Sequence, residues 1–136
     1  MSLTTDVAQR FLDENFAPWV KALDLTIARI DARGATLTMP VSDQLMRVGG
    51  IVSGQALAAM ADTAMVFACA GMLGEFRPVA TTNLDTQFLR PGTGDRIRCE
   101  AEIVRAGKAL IFTRASLIAE PSEKPVATAT ATFFLP

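Results

Sequence analysis

One carboxylate, Asp62, interrupts the apolar run GQALAAMADTAMVFACAGML, and it is the only charge between Gly54 and Leu73. Burying a carboxylate in such surroundings is costly unless it is paired or put to chemical use. Just upstream the chain reads GGIVSG, from Gly49 to Gly54. A glycine-rich loop opening onto a helix start leaves backbone N–H groups free to bind an anion or developing negative charge. A buried acid beside an anion-binding helix end points to acyl transfer.

The spacing constrains how the two can cooperate. Gly54 and Asp62 lie about 12 Å apart along a helix that rises ~1.5 Å per residue. One carbonyl cannot accept a hydrogen bond from the first while being attacked from the second. A site that uses both takes Gly54 from one subunit and Asp62 from another, and a two-fold dimer carries two such sites.

Composition removes several alternatives. The chain has no histidine, which excludes Ser-His-Asp triads, Cys-His dyads and the usual zinc sites. Cys69 and Cys99 have no metal or redox spacing, so they read as buried free thiols of a reducing compartment, and neither a metal nor a cofactor is expected. The net charge is −1 with scattered basic residues, which argues against nucleic acid. The start MSLTTDVAQRFLDENF lacks a signal-peptide pattern, so the expected location is the cytoplasm. The Gly54–Leu73 run is long enough to span a bilayer, but its alanine content, its central Asp and its flanking strand patterns argue against a membrane. Apolar residues make up 50% of the 136-residue chain, high for a small monomer, and this implies apolar surface buried between subunits of a single-domain protein spanning 1–136.

The elements around the long helix follow from periodicity. Val7, Phe11 and Leu12 at helical spacing predict a helix over Thr4–Asn15, capped by Thr4, Thr5 or Asp6 and ended at Ala17-Pro18-Trp19. Alternation predicts a strand over Leu23–Asp31, which forms a hairpin with Ala35–Pro40 through Ala32-Arg33-Gly34. Val41–Val52 reads as a loop. Beyond the helix, strands are expected at Val79–Leu89, Arg96–Arg105, Lys108–Ala119 and Val126–Leu135. Pro91–Asp95, Ala106-Gly107 and Pro121–Pro125 read as turns between them. The expected architecture is α+β, with the long helix packed on a curved antiparallel sheet, and with the strands after that helix forming a meander. Alanines at 56, 58, 59, 61, 64, 68 and 70 let the sheet approach the helix closely.

Four segments, together covering roughly residues 35–135, resemble the hotdog-fold thioesterases, in particular the PaaI-like branch of the 4-hydroxybenzoyl-CoA thioesterase superfamily. Arg47–Gln55 followed by Ala56–Asp62 is similar to the N-x-x-G-x-x-H-G-G segment and its helical acid. Thr82–Gly92 looks like the strand ending in F-x-R-P. Val104–Lys108 looks like the V-x-R-x-G-[KR] turn, and Ala127–Phe133 like the final strand.

The resemblance implies an acyl-CoA thioesterase that releases a carboxylic acid and CoA from a homodimer or dimer of dimers. It assigns Asp62 as nucleophile or general base, and the Gly54 amide as the group that polarises the thioester carbonyl. Thr81 or Thr82 matches a residue that holds the attacking water. Ser53 stands where the family has His, and Gln55 replaces the second glycine; both belong to the same catalytic segment. Arg47 replaces Asn, where it could bind a substrate carboxylate or pair with Asp62. Arg90, Arg105 and Lys108 are candidates for the CoA phosphates. The missing His and the Arg47 replacement motivate a second reading, a non-catalytic acyl-CoA-binding protein of the same fold. Hydratases and dehydratases of this fold pair their acid with a His, which this chain lacks.

Overall fold

The computed structural model describes residues 3–136; Met1 and Ser2, within the span of the expected single domain, lie outside the described residues. The N-terminal helix α1 (Thr5–Asn15) starts at Thr4, whose side chain accepts from the Val7 amide. The first helix ends before Ala17-Pro18-Trp19 as expected, but a one-turn helix α2 (Pro18–Lys21) follows; its proline occupies a helix-start position that needs no amide hydrogen.

The first sheet strand, β1, runs Thr26–Asp31 rather than from Leu23. Leu23 and Asp24 instead donate their amides to Val20 and Lys21, which completes the helical turn, and Asp24 leaves it with φ +58°. Apolar alternation had made these residues look extended. Two residues of α1 and β1 meet directly: Gln9 accepts from the Ile27 amide and donates to the Leu25 carbonyl, so α1 clasps the edge of β1.

Strand β2 (Gly34–Pro40) returns antiparallel to β1. The Asp31 carboxylate accepts from the Arg33 and Gly34 amides and shapes the turn between them. The expected loop over Val41–Val52 contains a 3-10 turn at Asp43–Leu45 and a miniature hairpin, β3 (Met46–Arg47) with β4 (Ile51–Val52). Gly49 takes φ +104° at the hairpin tip, a conformation an L side chain rarely adopts.

Helix α3 spans Gly54–Leu73, as its sequence implies. Ser53 caps it by accepting from the Ala56 amide at 3.1 Å, and Gly74, at φ +77°, ends it. The helix is long and apolar enough to cross a membrane, yet most of it is buried within the fold. Its small residues allow the close packing anticipated for them: a Cβ on Gly71 would lie 2.3 Å from the Asp31 carbonyl oxygen.

Strands β5 (Ala80–Phe88), β6 (Arg96–Ala106), β7 (Leu110–Glu120) and β8 (Lys124–Phe134) complete a six-stranded sheet in the order β1-β2-β6-β7-β8-β5. All its pairings are antiparallel. Inward residues such as Ile97, Cys99, Leu117, Ala129 and Phe133 pack against α3 in one continuous core.

The meander is shorter than expected. β6, β7 and β8 form it, whereas β5 lies beyond β8 at the far edge. Pro91–Asp95 is therefore not a tight turn but a crossover along the end of the sheet. Its backbone is held there by Val52, Glu120 and Val41, through Val52 N–H to Gly92 O, Asp95 N–H to Glu120 O and Val41 N–H to Asp95 O. A Pro-Gly-Thr-Gly sequence signals a change of direction, but not how far the chain travels before pairing again.

Candidate active site

Asp62 sits half-buried on α3, opposite the start of β5. Thr81 donates its hydroxyl to Asp62, with Oγ1 2.9 Å from Oδ1. A bulge between Thr81 and Asn83 inserts Thr82 into the strand. Thr82 donates its own hydroxyl to the Thr132 carbonyl at 3.1 Å, so the two threonines have separate partners. Burial pushes the Asp62 carboxyl above its ordinary range, and the Thr81 hydrogen bond opposes that rise. Among the described residues Asp62 has no ion-pair partner, so the pairing with Arg47 considered above is not made.

The helix start lies at the other end of β5. Phe88 packs its ring over Gly54, where an added Cβ would stand 3.2 Å from Phe88 Cζ. Gly54 and Gln55 are the first two helical residues, whose amides have no acceptor within the helix. Ser53 is the cap and Gln55 is exposed. Around Gly54 lies a pocket of about 260 Å³ that also exposes Arg47, Leu57, Phe88 and Arg90. Thus Arg47 and Arg90 gather with Gly54, whereas Thr81 gathers with Asp62. The two groups stand at Gly54 and Asp62 of one helix, about 12 Å apart at a rise of ~1.5 Å per residue.

The family model for the thioesterase superfamily matches residues 49–126, which contain Gly54, Asp62, Thr81, Phe88 and Arg90 but not Arg47. The chain belongs to the thioesterase superfamily. This thioesterase is 29% identical to the medium/long-chain acyl-CoA thioesterase YigI of Salmonella typhimurium, over 98% of its own length and 97% of the relative's. Its fold is similar to that of the thioesterase HI1161 from Haemophilus influenzae (TM-score 0.89, 19% identity, 100% of this chain and 92% of that one). It is also similar to the PaaI protein of the Escherichia coli phenylacetic acid degradation operon (TM-score 0.82, 24% identity, 95% and 90% covered). The long helix held against a six-stranded antiparallel sheet is the hotdog fold, and the enzyme is a thioester hydrolase.

The remaining predicted residues of the thioesterase fall elsewhere. Arg105 ends β6 and Lys108 lies in the turn between β6 and β7, both exposed. Register carries that turn past Leu110 and Phe134 to Ala80, so they share the Asp62 end of the sheet and not the Gly54 pocket. Cys69 and Cys99 are free and buried, and burial pushes the Cys69 thiol up to about 12 and the Cys99 thiol higher still. Among the described residues no cluster of His, Cys, Asp or Glu could hold a metal.

Phe88 is the site residue that sequence reasoning passed over. Its signal was available: Val79–Leu89 carries few apolar residues, and Phe88-Leu89 ends it as an apolar pair just before Arg90. Phe88 and Leu89 remain 54% and 51% exposed.

Proposed function

We propose that this thioesterase hydrolyses the thioester of an acyl- or aryl-CoA to a free acid and CoA, at a site built from two subunits of a homodimer. The carrying observation is that the Asp62–Thr81 pair and the Gly54 amide under Phe88 lie eight residues apart on α3 and at opposite ends of β5, too far apart to serve one carbonyl within a chain. The name of the YigI relative supports the acyl-CoA class.

The sheet edges support the dimer. α1 clasps the β1 edge through Gln9, whereas β5 is exposed along nearly all its length and leaves one row of backbone groups unpaired. An open strand edge is a template for another strand. Antiparallel pairing of β5 with a second copy, centred between Leu84 and Asp85, would set Thr81 opposite Phe88 of that copy. Asp62 of one subunit then faces Gly54 of the other.

The chemistry follows from what each group can do. Thr81 occupies Asp62 Oδ1, which leaves Oδ2 to act on water or on the carbonyl carbon. A carboxylate raised by burial is a stronger base than an exposed one. As base, Asp62 takes a proton while the water oxygen bonds to the carbonyl carbon. As nucleophile, Asp62 bonds to that carbon itself, and water later cleaves the anhydride. In both courses the carbonyl oxygen becomes negative at the Gly54 N–H, the carbon–sulfur bond breaks, and CoA leaves as the thiol after protonation.

The test is a panel of short, medium, long and aryl acyl-CoAs with wild type and Asp62→Ala. Wild type should hydrolyse at least one of them far faster than the variant. Equal rates across the panel would overturn the proposal.

A further inference from the structure

A second cavity of about 290 Å³ lies between α1, the C-terminal half of α3 and the segment leading into β5. Val66, Cys69 and Ala70 line it from α3. These positions continue the helix face of Asp62 by one and two turns, at the i+4, i+7 and i+8 spacing that defines one stripe. The opposite wall includes Val79, two residues before Thr81 in the chain. The cavity therefore lies one helical turn beyond Asp62 on α3 and two residues before Thr81 on the facing segment.

Its far wall is aromatic. Phe11 of α1 stacks on Phe76 with ring centroids 3.8 Å apart and planes at 3°. Phe67 backs Phe76 edge-on at 5.6 Å, and Phe16 stacks on Phe67 at 5.4 Å. Such a wall is rigid and apolar. Arg77 is the one charged residue of the lining, and it is exposed. The Cys69 thiol stays neutral, which makes it wall rather than rival nucleophile.

Taking Asp62 as the reaction centre, as in the function proposed above, we propose that this cavity takes the hydrocarbon tail of the acyl group, and that Phe11 and Phe76 limit it to medium-length chains. A tail attached to a carbonyl at Asp62 enters between Val66 and Val79 and runs along α3 toward the two rings. The volume sits at the lower end of the ~300–1,000 Å³ typical of ligand pockets, which suits a tail rather than a whole ligand. Each methylene buried there should improve selection about fourfold until the rings are reached.

Binding to the Asp62→Asn protein, which leaves substrate uncleaved, provides the test. Calorimetric titration should show decanoyl-CoA binding at least tenfold tighter than CoA alone. Val66→Phe, which fills the entrance, should abolish that advantage while CoA binding stays unchanged. Phe11→Ala, which opens the far wall, should shift the best tail from decanoyl to a longer chain, and it carries the test if Val66→Phe does not fold. Equal affinity for decanoyl-CoA and CoA overturns the proposal. So does a Val66→Phe protein that melts like wild type yet binds decanoyl-CoA as before. Hydrolysis by wild type no faster than by Asp62→Asn would instead overturn the catalytic reading, because the chain-length pattern in binding is read without turnover.

Discussion

The Thr81 hydroxyl and the Asp62 carboxylate, 2.9 Å apart, join the start of β5 to the middle of α3. Because Thr81 donates, it stabilises the charged carboxylate against the burial that opposes it. Removing it by Thr81→Val should raise the Asp62 pKa and move the acid limb of the kcat/KM profile to higher pH. A hydrogen bond to a charged group is worth ~1.5–3 kcal/mol, so kcat/KM near the acid limb should fall about tenfold or more. Thr81→Ser should restore the wild-type profile. An unmoved acid limb in Thr81→Val would show that the bond has no part in catalysis.

Asp62 also links stability to pH. Its folded pKa is raised above the unfolded value, so the protonated acid is the form the fold favours. The stability it contributes is complete below the unfolded carboxylate pKa and is lost as pH rises through the folded value. Asp62→Asn escapes that loss. Urea unfolding from acid to neutral pH should show the variant gaining on wild type as pH rises, with a constant difference once Asp62 is fully ionised.

The Gly54 amide can be removed without removing the helix. Proline is favoured at the first helical position and has no N–H, and Ser53 at φ −64°, ψ 148° suits a following proline. Gly54→Pro should keep the helical content by circular dichroism and lower kcat by about 100-fold, the scale of losing one oxyanion donor. The ring must displace Phe88, so the double variant with Phe88→Ala separates crowding from the lost donor. Recovery of activity in the double variant would assign the loss to crowding.

A shared site predicts complementation. Asp62→Asn and Gly54→Pro are each inactive, but a mixed dimer pairs the intact Asp62 of one subunit with the intact Gly54 of the other. Random mixing should recover about one quarter of wild-type activity, since about half the dimers are mixed and each holds one working site. Mixtures no more active than their parents would return the site to a single chain.

An open β5 edge predicts that charge there separates the subunits. Leu84, 38% exposed on β5, is the position to change. Leu84→Arg should shift the protein to a monomer by analytical ultracentrifugation and abolish hydrolysis while leaving the far-ultraviolet circular dichroism unchanged. A monomer with full activity would contradict the shared site.

The sequence by itself determined α3 and the placement of its lone acid and helix start, because a 20-residue apolar run bounded by a serine cap and a glycine stop is a local signal. It also determined that Gly54 and Asp62 cannot serve one carbonyl in a chain, since helical rise is the same everywhere. The inward face of β6, with Ile97, Cys99 and Ala101 buried, was legible from its alternation. Only the tertiary structure decided that β5 lies beyond β8, that Thr81 rather than Thr82 meets Asp62, and that Phe88 covers Gly54. These depend on long-range pairing and on one bulge, and inserting a single residue into a strand changes which side chain faces the helix without any sequence motif to announce it.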